Sequence, residues 1–363
     1  MERIALAFAV AFLLSLLLTP YVRKLALRLG AVDKPDARRI HLKPTIGGLA
    51  LYTAFLVAVL VTVPMERRLI GIVVGATIVL ITGFIDDIRP LPAKIKLFPQ
   101  IGAALFLVYF GGYRIQFLTN PLGRALNGHL DFLQNLGIQV SDFIYLSSQF
   151  TTIAITVIWI VGITNAINLI DGLDGLAAGV SGIASLTLMV VALTTGQWPV
   201  TVLTAALAGS TLGFLRWNFN PARIFMGDTG ALFLGFVLAS VALEGFLKSA
   251  TVIALAVPVL VFGLPIMDTV FVILRRAFGG RPITSPDRGH LHHHLMDRGL
   301  SHRKAVLVLY LISGCFSLSA VVLSRFNAAV ASLVILALGI ALFVWARRFG
   351  LWQVLRQERN LNL

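Results

Sequence analysis

Residues 69–89 read LIGIVVGATIVLITGFIDDIR. Seventeen uncharged, mostly apolar residues, 69–85, run directly into Asp86-Asp87. A stretch of that length approaches the roughly 20 residues that cross a bilayer as a helix. Paired carboxylates at the end of such a span are expensive and usually functional. The rest of the chain has the same character. Its 363 residues are 58% hydrophobic and 13% charged, and its mean hydropathy is +0.89. A soluble domain carries about 25% charged residues, so a soluble enzyme would lack the side chains to cover its surface. Disorder is excluded, because disordered chains are polar and highly charged. The expected fold class is all-α, a polytopic integral membrane protein.

Working outward from 69–84, further apolar spans are expected near 4–20, 47–63, 95–110, 150–167, 176–194, 198–215, 229–244, 249–273, 304–323 and 328–346, eleven in all. The first is read as a retained span, since its basic cluster follows the apolar run and no small-residue cleavage site ends it. Residues 1–346 form one membrane domain with cytoplasmic active-site loops, and 347–363 a basic cytoplasmic tail. The mixed segment 111–149 suggests a short surface helix or hairpin. If residue 1 lies outside and the spans alternate, 23 of the 30 basic residues fall inside. The positive-inside rule therefore places the N terminus outside and the C terminus in the cytoplasm. The net charge of +14 follows from this bias, so no nucleic-acid partner is expected. Cys315, the one cysteine, lies in an apolar run and excludes an intrachain disulfide.

Asp86, Asp87, Asp171, Asp174 and Asp228 all fall at the inner end of this topology, and so do all the histidines except His129. Adjacent helical residues point about 100° apart, so Asp86 and Asp87 do not serve one atom equally. One suits a metal, the other a proton or a substrate. Lys94 and Lys96 follow within reach, either for phosphate oxygens or as anchors at the membrane surface. In the segment 165–176, Asn165, Asn168, Asp171 and Asp174 recur every third residue. That stripe suits Mg²⁺, a nucleotide or a sugar, or else an internal hydrogen-bonded helix contact. The Asp-Gly-x-Asp-Gly pattern lacks the ligand series of a calcium loop. Arg223, Phe225 and Asp228 lie in 218–230. Asp228 suits either capping the following helix or binding a cation, and Phe225 suits stacking on a base or anchoring at the interface.

The fourth cluster holds Arg288, His290, His292, His293 and His294, then Asp297, His302 and Arg303. Zinc is disfavoured, because no cysteine is near and basic residues crowd the segment. Histidines and arginines together suit a polyanion such as a diphosphate. Carboxylates for a divalent metal beside basic groups for phosphates point to phosphoryl transfer at the inner membrane face.

The segments 83–87 with 93–100, 165–177, 225–230 and 289–303, in this order, resemble the polyprenyl-phosphate N-acetylhexosamine-1-phosphate transferases of glycosyltransferase family 4. The similarity is greatest to the undecaprenyl-phosphate N-acetylglucosaminyl 1-phosphate transferases. The resemblance implies transfer of GlcNAc-1-phosphate from UDP-GlcNAc to undecaprenyl phosphate, with release of UMP and initiation of cell-surface glycan synthesis in a bacterial membrane. It implies Mg²⁺, with Mn²⁺ as an alternative, and Asp228 as the metal ligand. It gives catalytic roles to Asp86, Asp87, Asp171, Asp174, Asp228, His290, His292 and His293. It gives substrate-binding roles to Lys96 and Phe225, and His41, Lys94, Asn165, Asn168, Arg223 and Arg288 stand beside them as substrate-binding candidates read from the residues themselves. The partners implied are a UDP-sugar, undecaprenyl phosphate and membrane lipids, with a homodimer allowed. In the sister subfamily that transfers a muramoyl-pentapeptide unit, the histidines are soon followed by Phe-Glu. Here Leu295-Met296-Asp297 follows. The segment Lys43-Pro44-Thr45-Ile46-Gly47-Gly48 is shorter than the family pattern and lacks its arginine, for which Arg39, His41 and Lys43 are the available substitutes. Another UDP-HexNAc donor, or the muramoyl-pentapeptide donor, is the alternative within the reaction class. A secondary transporter is the rival from another class, weakened by acids that gather at one face instead of the midplane.

Overall fold

The computed structural model describes residues 1–33, 43–115, 117–119, 143–145, 148–247, 256–278 and 289–325. His41, Arg288, the expected span at 328–346 and the tail at 347–363 lie outside the described residues, as does most of 111–149.

The architecture is all-α. The order is α1 (Glu2–Leu29), β1 (Val32–Asp33), β2 (Lys43–Pro44), α2 (Gly48–Thr62), α3 (Arg67–Ile88), α4 (Ala93–Tyr109), β3 (Phe117–Thr119) and β4 (Phe143–Tyr145). Then follow α5 (Gln149–Ile170), α6 (Leu176–Thr194), α7 (Trp198–Asn218), α8 (Gly227–Leu247), α9 (Ala256–Val261), α10 (Gly263–Phe278), α11 (Leu291–Asp297) and α12 (His302–Arg325). The strands form two antiparallel pairs. Val32 faces Pro44 and Asp33 faces Lys43, while Phe117 to Thr119 pair with Tyr145 to Phe143. The second pair lies within 111–149, where a short surface helix or hairpin is expected.

Among the described residues, seven helices are long and apolar enough to cross a membrane: α1, α3, α5, α6, α7, most of α8, and α12. The protein is therefore a multi-pass membrane protein. The apolar helix α2, 15 residues long, falls short of that length. Residues 256–278, which overlap the expected span 249–273 and run past its end, form two helices with Phe262 between them. Pro265 supplies the reason, because its missing N–H leaves the Val261 carbonyl without its helical donor. The flanking bonds from Phe262 N to Pro258 O and from Ile266 N to Phe262 O survive at 3.0 and 2.9 Å.

Helix α8 is the central post, 89% buried over its spanning window. It packs on α2, α3, α5 and α6, and α1 lies across α7 and α2. Gly209 and Gly213 let the backbone of α1 approach α7, for a Cβ at either would strike the Phe8 or Phe12 carbonyl. Small residues spaced by four serve close helix packing where no water drives association. At the end of α3 opposite the aspartates, Arg68 bonds both oxygens of buried Glu244 on α8, at 3.0 and 3.1 Å. Helices α3 and α8 are thus tied at both ends, and the other tie builds the site.

Candidate active site

Gly83 lies against the backbone of Asp228 and Thr229, where a Cβ would collide. That contact brings the last turn of α3 onto the start of α8. The first backbone N–H groups of a helix have no internal acceptor, and Asp87 supplies one from outside the helix. Its Oδ1 accepts from Asp228 N at 3.0 Å. Its Oδ2 accepts from Thr229 N at 3.1 Å and from the Thr229 hydroxyl at 2.5 Å. The neighbouring Asp86 does something different. It accepts from Leu91 N at 2.7 Å and from Lys96 Nζ at 3.1 Å. The same ammonium donates to Asp228 Oδ2 at 2.7 Å, and Asn168 Nδ2 donates to Asp228 Oδ1 at 2.9 Å. Lys96 therefore bridges two carboxylates from different helices.

Of these groups, Asp87, Asn168 and Asp228 border a cavity of about 280 Å³. Asp87, Asn168, Asp171, Asp174, Phe225 and Asp228 line it, with Asp33, Thr45, Gly172, Leu173, Asn218 and Gly227. Asp171 sits just past the end of α5. Burial, then the Asp228, Asp87 and Asp174 carboxylates, push its carboxyl up to about 8. Asp174 is heavily engaged. Its Oδ2 accepts from Lys43 Nζ at 3.3 Å, from Asn220 Nδ2 at 3.0 Å and from Ala222 N at 3.0 Å. Its own N–H donates to His302 Nε2 at 2.8 Å. Lys43 Nζ also stands 4.8 Å from the centre of the Phe225 ring. The Phe225 backbone is held by Pro44 O and Gly47 N at 2.8 and 3.0 Å. One wall of the cavity is thus an aromatic face flanked by a paired cation.

The histidine segment packs behind Gly172, a residue of the cavity wall. His292 is buried, and its ring occupies the space a Cβ on Gly172 would need. Its Nε2 has no hydrogen-bond partner among the described residues. Burial, then the adjacent His293, push it down to about 3, so the ring is neutral. His290 stacks on His292 at 5.6 Å and His293 lies 4.2 Å from His292.

Among the expected site residues outside the cavity lining, Lys96 ties Asp86 to Asp228 and His292 lies against Gly172, whereas three others turn elsewhere. Asn165 donates to Gln100 Oε1 at 2.7 Å and to Val161 O at 2.8 Å, tying α5 to α4. The Arg223 guanidinium lies over the Trp217 ring at 5.4 Å. Lys94 is exposed at the start of α4. Asp268 was not singled out from sequence as a site residue, yet it holds His290 at 2.8 Å. A carboxylate within an apolar stretch was its available signal.

The donors around the cavity are hard oxygens, which suit Mg²⁺. Among the described residues no three His, Cys, Asp or Glu side chains gather into a complete metal cage. That arrangement fits an ion held by one or two carboxylates, with water and substrate phosphate completing its shell.

The glycosyl transferase family 4 profile matches residues 69–246. The chain is 42% identical over 330 residues to a protein named probable undecaprenyl-phosphate N-acetylglucosaminyl 1-phosphate transferase from Bacillus subtilis (strain 168), covering 89% of this chain and 86% of that one. It is 34% identical over 349 residues to a decaprenyl-phosphate N-acetylglucosaminephosphotransferase from Mycolicibacterium smegmatis, covering 88% and 82%. It is 32% identical over 342 residues to a phospho-N-acetylmuramoyl-pentapeptide-transferase from Clostridium botulinum, covering 86% and 93%.

Proposed function

Because this chain belongs to glycosyl transferase family 4, we propose that it transfers N-acetylglucosamine 1-phosphate from UDP-GlcNAc to undecaprenyl phosphate. UMP is released, and the lipid-linked product starts a cell-surface glycan. One observation carries the reading. A cavity lined by five aspartates and Phe225 lies at the end of the helix bundle where Lys96 ties Asp86 to Asp228. That combination suits a nucleoside diphosphate better than a transported solute. The names of the relatives favour the N-acetylglucosamine donor.

An oxygen of the lipid phosphate attacks the β-phosphorus of the donor. The bond from that phosphorus to the oxygen bridging to the α-phosphate breaks, and UMP leaves with the electron pair. The acceptor is already an anion near neutral pH, so attack needs no strong base. Asp87 is engaged by three donors of α8, and Asp86 by Leu91 and Lys96. Carboxylates held in this way are poor nucleophiles, which favours direct transfer over an aspartyl-phosphate intermediate. Lys96 is placed to meet phosphate oxygens, and Phe225 to stack on the base. Asp228, with Asp171 on the same cavity, would hold Mg²⁺. When bound, the ion would neutralise charge building on the diphosphate.

The same reading sets the cavity at the cytoplasmic face, with the N terminus outside and eleven spans in all. Beyond the candidate spans already described, the short α2, α4, the α9–α10 pair and the expected segment 328–346 make up that number.

Purified protein with undecaprenyl phosphate and Mg²⁺ should release UMP from UDP-GlcNAc and cease when the metal is chelated. Turnover only with the muramoyl-pentapeptide donor would overturn the donor assignment. A radiolabelled covalent enzyme trapped with donor alone would overturn direct transfer.

A further inference from the structure

Helix α10 turns charge inward. Leu264, Asp268, Val272 and Arg275 are buried, whereas Val270, Ile273 and Leu274 are exposed. The buried positions are spaced by four, four and three and so share one helical face. Within a membrane protein an inward carboxylate is costly unless it is partnered. Asp268 is 4% exposed, and both its oxygens are used by one neighbouring segment. Oδ2 lies 2.8 Å from His290 Nδ1, and Oδ1 accepts the backbone N–H of Leu291 at 2.7 Å. About two turns further along α10, the Arg275 guanidinium lies against Gly289, where a Cβ would collide with it. Asp268 and Arg275 therefore seat the start of the histidine segment from one helix face. From there the contacts run inward. His290 stacks on His292 with ring planes 12° apart, and His292 fills the space above Gly172, a residue of the cavity wall.

We infer that Asp268 is a positioning residue for the transfer reaction: it fixes the tautomer and seat of His290 and, through the stacked His292, the shape of the cavity at Gly172. The inference rests on the reaction proposed above. An ionised carboxylate only accepts hydrogen bonds, so the facing Nδ1 carries the proton. In the neutral ring Nε2 is then left as an acceptor. An orienting carboxylate behind a working histidine is worth roughly 10–100-fold in function where such pairs support metal ligands, and the same scale is expected here.

Asp268→Asn tests this with little change of shape. The amide can still accept from Leu291 N–H, but its NH₂ would face Nδ1 and demand the opposite tautomer. UMP release should fall roughly 10–100-fold, and Asp268→Glu should recover part of it. A double-mutant cycle with His290→Ala separates positioning from general structure. Asp268→Asn should cost nothing further in the His290→Ala background, and independent, multiplying losses would overturn the inference. Nitrogen NMR of ¹⁵N-histidine protein supplies a second reading that needs no turnover. The wild type should show His290 protonated at Nδ1, and Asp268→Asn should show it protonated at Nε2. A wild-type His290 with bare Nδ1 would overturn the inference whatever the kinetics. No UMP release from a wild type that keeps the Nδ1–H form would instead sink the proposed reaction and retain the pair.

Discussion

Asp87→Ala should lower the melting temperature of the protein, because Asp87 caps α8 from the end of α3. The variant strips an acceptor from Asp228 N, Thr229 N and the Thr229 hydroxyl. Thr229 is fully buried, so water does not replace what is lost. Loss of a cap costs about 1 kcal/mol, and a buried donor left unpaired adds about 1–3 kcal/mol. These overlap, and about 2–3 kcal/mol is the combined expectation. With an unfolding entropy of about 2.1 cal/mol/K per residue over 363 residues, the slope is about 0.8 kcal/mol per kelvin, giving a drop of about 3–4 °C. Asp228→Ala is the comparison. It removes acceptors from Asn168 and Lys96, but Lys96 keeps its bond to Asp86. It should abolish Mg²⁺-dependent turnover with a smaller shift in melting. Thermal melts in one detergent, followed by tryptophan fluorescence, decide the matter. An Asp87→Ala protein that melts with the wild type, or an Asp228→Ala protein that melts lower than Asp87→Ala, would refute the division of roles.

Lys96→Met removes the cation shared by Asp86 and Asp228. At about 1.5–3 kcal/mol for a hydrogen bond to a charged group, kcat/KM should fall roughly 10–150-fold, and steady-state kinetics within twofold of wild type would contradict the bridge. Gly172→Ala pushes a methyl group into the His292 ring. Overpacking of about 1–3 kcal/mol should appear as a raised KM for the UDP-sugar in a protein that still folds, and a His292→Ala background should relieve it. Asp171 is held above the ordinary carboxylate range in the folded chain, from 3.8 to about 8. The folded state then binds that proton more tightly than the unfolded state. Its contribution to stability is full below about pH 4 and is lost as the pH rises toward 8. In metal-free detergent, melting temperature should fall across that window more steeply for wild type than for Asp171→Asn; parallel curves would remove Asp171 as the source.

The apolar helices were legible because hydrophobic runs report bilayer-length segments directly. The span expected at 69–84 became Arg67–Ile88, since the capping contact at Asp87 lets the helix continue past its apolar stretch. The break at Phe262 was also written in the chain, as Pro258 and Pro265 within the expected span 249–273. The site was legible only in part. A three-residue step drifts by about 60° around a helix, so Asn165 and Asn168 diverge, and the former turns to Gln100. Asp171 and Asp174 escape this drift because α5 ends at Ile170. Arg223 pairs with Trp217 across a turn, a choice that spacing alone does not reveal. The ties of Asp174 to Lys43 and Asn220 join segments far apart in sequence, and only the packed helices bring them together. Asp268 carried a local signal, a carboxylate inside an apolar run, but its partner His290 lies 22 residues away.

The central claim is that the protein moves a sugar together with its phosphate. UDP-GlcNAc labelled with ³²P at the β-phosphorus and with ¹⁴C in the sugar, incubated with the purified protein and undecaprenyl phosphate, tests it most directly. Both labels should pass to the lipid in equal amounts, leaving unlabelled UMP as the nucleotide product. Transfer of ¹⁴C alone, with ³²P retained in UDP, would contradict it.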